Sequence, residues 1–506
     1  MTSTARERAA ARGQPSPMVR TSVVFVGIAV LAAFAADIEI TTADPWSEFG
    51  RMALGAVTPD FTATERLAEA VAMTVAFALL GVTVANICGF ALALAFHVRA
   101  VRVGCAVVRA VHELFWALIF LQIFGLSPLT GILAIAIPYT GIIAKVYSEI
   151  LEEADHAPLR IVPAGSSRIS VFLFARLPEA WVHFKTYALY RLECGLRSSA
   201  VLGFVGLPTL GYHLDSAFRQ GNYAEVSALL IVFYIIVATM RRWMHRRLLP
   251  VYLIGAILMM PGGVDISMAN ILRFLGSDIV PFPLRMAQSI DGATLAALGH
   301  WTAAMFTEEA LPGIVNTLIL TMIALVVSGI GALTMFPLIS PKFFGKRQRI
   351  FGHAVLVIIR STPEYILAYV FLQLWGPSMA PAIVALSLHN SAIIGHLIGR
   401  HTESMKIRAD APRGVNLYAY DILPRIYPQF LAFLFYRWEV ILRETAILGI
   451  LGIPTLGFYI DSAFADVRYD RALFLIIVTA ALNIAVDTLS RRIRSRLRLK
   501  TTLDNG

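Results

Sequence analysis

Charge is what this sequence has little of. Only 15% of its 506 residues are Asp, Glu, Lys or Arg, against about 25% in a soluble globular chain. Cysteine is scarce too. Cys88, Cys105 and Cys194 stand in apolar stretches without metal-ligand spacing, which excludes a disulfide framework and a zinc site and leaves them as small core residues. No Gly-x-x-x-x-Gly-Lys-Ser/Thr occurs, so nothing in the chain cradles nucleotide phosphates. Nor is any polar stretch long enough for an additional soluble domain. The apolar fraction of 57% excludes a disordered chain. The net charge of +10 does not indicate nucleic acid, because the basic residues collect in short runs between apolar segments.

What is there is apolar surface, with a mean hydropathy of +0.70. That much cannot be hidden inside a water-soluble particle of this size, so the sequence predicts an all-α polytopic membrane protein. A spanning helix needs about 20 residues at 1.5 Å each. Stretches 71–96 and 311–340 meet that need directly. Stretch 114–144 holds two helices broken at Gly125-Leu126-Ser127-Pro128, and 365–399 holds two broken at Gly376-Pro377. Shorter or less pure segments fall at about 18–37, 179–206, 226–240, 248–264, 426–452 and 472–486. The expectation is twelve spans, six in each half.

Lys and Arg in the short loops set orientation. Arg6, Arg8 and Arg12, then Arg99 and Arg102, then Arg241, Arg242, Arg246 and Arg247, then Lys342, Lys346, Arg347 and Arg349 all fall on one side of a twelve-span chain. So does the tail 491–500, with six basic residues and no acidic one. The opposite loop 37–66 has six acidic residues against two basic. Both termini are therefore expected in the cytoplasm. Ala33-Phe34-Ala35, after the first apolar stretch, resembles a signal-peptidase site.

The chain repeats itself. Stretches 196–218 and 442–464 are identical at 14 of 23 positions, at a constant offset of 246. Further upstream the offset is 251, where Arg109, Glu113 and Gly125 match Arg360, Glu364 and Gly376. The expected divisions are 1–245 and 246–506. Because each holds an even number of spans, the repeats run parallel, two six-helix bundles about an axis along the membrane normal.

Charges inside apolar segments are expensive and must find partners. Glu193–Arg197 and Glu439–Arg443 are spaced i,i+4, as are Arg109–Glu113 and Arg360–Glu364. Arg191 and Arg437 have no acidic residue four positions away and are freer to meet an oxyanion or another helix. Two readings stand for Arg197 and Arg443: guanidinium forks offered to an oxyanion, or cations neutralised by their own glutamates. Both halves then carry a Gly-x-Pro-Thr-x-Gly turn. Backbone freed in this way is tolerated at membrane depth only where buried or lining a cavity. Leu207, Pro208, Thr209 and Leu210, with Ile453, Pro454, Thr455 and Leu456, are therefore candidates for a periplasmic-side gate, or for a plain re-entrant connector. His112, Lys145, His389 and His396 differ in charge between the halves and are assigned a packing or interface role.

Two patterns carry a family resemblance. Between the fourth and fifth expected spans of the first half, Gly165 precedes Leu177-Pro178 by twelve positions, and the matching loop of the second half ends in Leu423-Pro424. This resembles the cytoplasmic "EAA" loop of binding-protein-dependent ABC importer permeases, although Glu-Ala-Ala is replaced and Ala411 stands at the second glycine position. The resemblance implies a coupling helix against an ATPase subunit, formed by Leu159, Arg160, Ile161 and Gly165 and by Met405, Lys406, Ile407 and Ala411. The second pattern, Tyr-Arg-x-Glu-x-x-x-Arg-x-x-Ala-x-Leu-Gly, begins at Tyr190 and at Tyr436. It is similar to phosphonate-type permeases, usually single six-helix chains that pair, of which this would be a fused version.

That resemblance implies a translocation subunit, not an enzyme, moving phosphonate, phosphate or a related phosphorus oxyanion through a pathway that includes Arg191, Glu193, Arg197, Arg437, Glu439 and Arg443. It implies no cofactor or metal in this chain, with ATP and magnesium on two copies of an ABC ATPase. The remaining partners are a periplasmic or lipid-anchored binding protein and membrane lipid, with no nucleic acid. Importers of methionine or another amino acid share the architecture. A secondary carrier or channel is the alternative from another class, and the lack of an intramembrane carboxylate free of an arginine at helical spacing, among the repeated positions, counts against it.

Overall fold

The computed structural model describes residues 16–154, 162–163, 165–245, 247–260, 266–408 and 410–499. Its regular elements are helices, with no strand among the described residues. In chain order the principal ones are α1 (Pro17–Ala35), α2 (Pro45–Val57), α3 (Leu67–Leu94), α4 (Arg99–Ala110), α5 (Glu113–Phe124), α6 (Pro128–Glu153), α7 (Leu177–Val201), α8 (Leu210–Arg219) and α9 (Tyr223–Trp243). There follow α10 (Leu249–Met259), α11 (Gly292–Ile339), α12 (Lys346–Ser361), α13 (Glu364–Trp375), α14 (Met379–Ser404), α15 (Leu423–Ile450), α16 (Leu456–Ala465) and α17 (Tyr469–Arg496). Seven of them (α1, α3, α6, α9, α11, α14 and α17) are long and apolar enough to cross a membrane, and counting each bent pair α4–α5 and α12–α13 as one span gives nine.

The boundaries follow local chemistry. Gly125 and Gly376 end α5 and α13 at φ of 65° and 83°, values that favour glycine. Ser127 and Ser378 then cap α6 and α14 by accepting hydrogen bonds from the backbone N–H groups of Thr130 and Ala380. Both expected breaks are present. The helix before each break differs from expectation, however. At 12 residues α5 is only about 18 Å long, too short to span alone. It is joined to α4 through a bend of 90°, as α13 is to α12 through one of 91°. Pro363 stands at the second bend, where it lacks the N–H to continue a helix and pushes Thr362 into extended backbone. At the first, the His112 side chain accepts the Leu114 N–H and starts a new helix. Arg109 and Glu113, like Arg360 and Glu364, therefore stand on two different helices, and their i,i+4 spacing has no helical meaning.

Two further segments depart from the reading. α10 has 11 residues where 248–264 suggested a span, and 261–265 lie outside the described residues. α11 runs for 48 residues, beginning well before 311, through a widened π-type turn at Phe306–Ala310.

The chain forms two compact units. One comprises Met1–Glu48, Asp291–Val467 and Ile477–Gly506, the other Phe49–Ile290 and Arg468–Ile476. In the 49–290 unit, α3 and α6 form the central pair, with α4, α5 and α7 around them and α10 on α3. Glycines allow the close approach: a methyl at Gly81 would lie 2.9 Å from Ile135 Cβ, and one at Gly89 would lie 2.7 Å from Ile143 Cγ2. Small residues at the contact are how helices associate where lipid removes the hydrophobic drive. In the 291–467 unit, α11 and α14 form the equivalent pair, flanked by α12, α13 and α15. Helix α1 belongs to this unit. Phe25 packs edge-on against Phe435 and Trp438 with centroids 5.0 and 5.3 Å away, and the Tyr427 hydroxyl donates to Ser22 Oγ at 2.6 Å. The first helix of each sequence half thus packs on core helices drawn from the other half.

Both units close on the same turn. After α7, Gly206 at φ 91° turns the chain into α8; after α15, Gly452 at φ 86° turns it into α16. The first N–H of α8 is donated by Leu210 to Thr74 Oγ1 at 2.9 Å, and that of α16 by Leu456 to Thr317 Oγ1 at 3.1 Å. A methyl at Gly211 would strike the Ala200 carbonyl oxygen, and one at Gly457 would strike that of Ala446. We expect Gly457→Ala to destabilise the protein by about 1–3 kcal/mol through this overpacking. Gly104→Ala, with nothing within 4 Å, should leave it unchanged. Thermal unfolding of the detergent-solubilised protein measures both.

Candidate functional site

Each unit buries a cluster of polar groups between its central helices, assembled from equivalent positions. In the 49–290 unit these are Glu113 at the start of α5, Tyr139 in α6, and Arg191 and Ser198 in α7. Buried Ser198 donates to Glu113 Oε1 at 2.8 Å and bonds Tyr139 Oη at 3.0 Å. Since the serine proton goes to the carboxylate, Tyr139 donates to Ser198. His112 Nε2 lies 3.6 Å from the other Glu113 oxygen. Glu113 is thus tied up by a serine and a histidine.

Arg191 stands apart from that carboxylate. Its Nε donates to Tyr187 Oη at 2.7 Å. Its guanidinium lies over three rings, 5.1 Å from the centroid of Tyr187 and 5.5 Å from those of Tyr139 and Tyr190. Such stacking on tyrosine faces stabilises a desolvated cation by up to about 2 kcal/mol, without neutralising it.

In the 291–467 unit the same places hold Glu364, Asn390, Arg437 and Glu444. Here the arginine is neutralised directly. Its Nη2 lies 3.2 Å from Glu444 Oε1, and its Nε donates to Asn390 Oδ1 at 2.6 Å. Asn390 Nδ2 donates in turn to Glu444 Oε2 at 3.3 Å. His389 Nε2 is 3.7 Å from Glu364, with its Nδ1 3.0 Å from the Thr362 carbonyl oxygen. Glu364, His389 and Glu444 each bring a donor atom within 4.8 Å of the others, the spacing of a possible cation site. Zinc would draw those atoms to about 2.0–2.2 Å, beside a guanidinium that already supplies positive charge. Glu444 already has the Arg437 guanidinium as its counter-ion and Glu364 faces the His389 ring, so the donor set fits a self-contained polar cluster better than a divalent cation.

The remaining expected residues are placed as follows. Glu193 forms no hydrogen bond or ion pair with a described residue, so the Glu193–Arg197 pair is not made; Arg197 Nη2 approaches Cys194 Sγ at 3.6 Å instead. Glu439 and Arg443 lie part-buried in α15. In the two turns Leu207, Thr209, Leu210, Ile453, Thr455 and Leu456 are buried within their own units, Pro208 is exposed and Pro454 is half-buried. Leu159, Arg160 and Ile161 lie outside the described residues, and Gly165 sits in a turn at φ 99°. Met405, Lys406 and Ile407 are irregular and Ala411 closes a turn onto the Arg408 carbonyl, so the described residues of 405–411 are not helical. Helical structure resumes at Leu417 as a π-type turn that runs into α15, and at Arg168 before α7. Leu177-Pro178 and Leu423-Pro424 are the first residues of α7 and α15, where a proline's missing N–H is no loss.

Sequence reasoning passed over Tyr139 and Asn390, Ser198 and Glu444, and assigned His112 and His389 to packing. One signal was available. Position 198 is Ser where its repeat partner 444 is Glu, and position 139 is Tyr where 390 is Asn, in segments where polar residues are costly.

An all-helical, multi-pass membrane protein with charged groups held between its helices is the class that fold and site define. Similarity to known proteins narrows it. The chain is 26% identical over 462 residues to the phosphate-import permease protein PhnE of Mycolicibacterium smegmatis, covering 84% of each chain. It is 31% identical over 189 residues to the phosphite transport system permease protein PtxC of Stutzerimonas stutzeri, covering 35% of this chain and 68% of that one. No family model and no solved structure matches. The chain belongs to the phosphonate- and phosphite-type permease subunits of ABC importers.

Removing one partner of the buried Arg437–Glu444 pair strands the other charge. Glu444→Ala is expected to cost about 3–5 kcal/mol, whereas replacing both residues by leucine should restore stability close to the wild type. Thermal unfolding of the three proteins in one detergent checks this.

Proposed function

We propose that this chain is the membrane-spanning subunit of an ABC importer that carries a phosphorus oxyanion into a bacterial cytoplasm. Its relatives' transport roles support the substrate class. The single observation that carries the reading in the structure is the recurrence, in both units, of a membrane-depth arginine at one place in the fold, with a half-buried guanidinium. Guanidinium forks suit tetrahedral oxyanions.

The chain holds both permease repeats, 1–245 and 246–506. A relative that covers 35% of this chain with 68% of itself is about half as long, as one repeat would be. Helices α7 and α15 read as spans whose charges place them inside a bundle, and α10 as a short span, which brings the nine to the twelve of a doubled six-helix permease. Basic loops then put both termini in the cytoplasm. Two copies of an ATPase dock on the loops 149–178 and 400–424, each of which leads directly into the arginine-bearing helix. Their closure moves α7 and α15 and, through them, the Gly-x-Pro-Thr turns that act as gate. A separate binding protein delivers the substrate. The pathway runs along α7 and α15, past Arg191, Glu193, Arg197, Glu439 and Arg443.

The experiment is uptake of radiolabelled phosphate by cells with and without the chain, competed by excess methylphosphonate, phosphite or methionine. Loss of uptake on deletion, competed by phosphorus oxyanions and not by methionine, is expected. Competition by methionine alone would move the substrate to amino acids. Uptake that persists without ATP would assign the chain to secondary carriers.

A further inference from the structure

The two arginine positions are equivalent in the repeat and unequal in chemistry. In the 291–467 unit, Glu444 faces Arg437 at 3.2 Å and Asn390 takes its Nε, so the guanidinium has its counter-ion inside the protein. In the 49–290 unit, Ser198 replaces the glutamate and Tyr139 the asparagine. Neither replacement's hydroxyl bonds the arginine: Tyr139 donates to Ser198 and Ser198 to Glu113. Arg191 makes one hydrogen bond, to Tyr187 Oη, and no ion pair with any described residue. A guanidinium has five N–H donors. Three tyrosine rings cover its faces, which leaves its in-plane N–H edge, the part that grips a tetrahedral oxyanion, without a protein acceptor.

We propose that Arg191 is the oxyanion contact of the pair: with its box of Tyr139, Tyr187 and Tyr190 it takes one tetrahedral phosphorus oxyanion per chain, while Glu444 closes Arg437 to anions. This rests on the importer reading and deepens it, because it assigns specificity to one half of a doubled protein. A cation held among aromatic rings at membrane depth lacks the partner that such charges require, and a transported dianion supplies it. Four-coordinate geometry distinguishes the phosphorus oxyanion from a planar carboxylate, whose two oxygens both lie in the plane of the fork and leave none directed out of it. A phospholipid headgroup offers the same phosphate chemistry, so the test separates the two sources.

The full-length chain in phosphatidylcholine nanodiscs, with and without phosphatidylglycerol, is titrated with radiolabelled inorganic phosphate. One phosphate per chain is expected in both lipids, displaced by methylphosphonate and not by acetate. Arg191→Gln should abolish this binding while its unfolding temperature stays near that of the wild type. Arg191→Lys, which keeps the charge and loses the fork, should bind at least tenfold more weakly and keeps the test valid should the glutamine variant misfold. Two phosphates per chain, no phosphate bound, or undiminished binding by Arg191→Gln would overturn the proposal. So would an Arg191-dependent effect of phosphatidylglycerol without one of free phosphate. Inorganic phosphate is the probe, so a failure of the binding test with uptake intact overturns this inference alone. Absent uptake with binding intact overturns the importer reading instead.

Discussion

A charge at membrane depth has to be matched by something, and this protein arranges its interior around that requirement. Water is not there to screen a guanidinium or a carboxylate, so each must sit between helices and meet an opposite charge, a hydroxyl or a ring face. The positions of Glu113, Tyr139, Arg191 and Ser198 in one unit, and of Glu364, Asn390, Arg437 and Glu444 in the other, are where three helices of each bundle come together. Bends in α4–α5 and α12–α13 serve the same end. They bring Glu113 and Glu364 to the first turns of α5 and α13, where a helix N-terminus favours a carboxylate and where the clusters can reach them.

Close packing makes such clusters possible. Glycines at 81 and 89 let α3 lie against α6. Gly211 and Gly457 let the end of the arginine-bearing helix touch the start of the next. These contacts leave no slack: where one helix backbone rests on another's carbonyl, a movement of α7 or α15 is passed on to the helix that follows it. Each arginine-bearing helix starts at the end of a long polar loop and ends at a glycine turn, so one continuous helix joins the two.

The two units place different residues at positions that match in the sequence repeat. The polar clusters differ in this way: Ser198 stands against Glu444, Tyr139 against Asn390, and a histidine comes from α5's cap in one unit and from α14 in the other. Helix packing and turn geometry stayed alike while the electrostatics of the two units separated.

The amino-acid sequence determined by itself that this is a helical membrane protein, that its halves repeat, and that the family is that of the phosphonate-type permeases. Those properties rest on composition, on offsets of 246 and 251, and on short motifs, all of which are local or additive along the chain. Helix breaks at Gly125 and Gly376 were legible for the same reason, since a positive φ and a following serine cap are local signals. Only the tertiary structure decided which charges meet. The i,i+4 spacing of Arg109 and Glu113 does not describe one helical turn, because a cap at His112 begins a new helix between them. Arg437 meets Glu444 two turns along its own helix and Asn390 on α14, while Arg191 has Tyr187 and Tyr190 on its own helix and Tyr139 on α6. Which residue of another helix joins such a cluster is set by helix rotation and depth, which no spacing along one helix encodes.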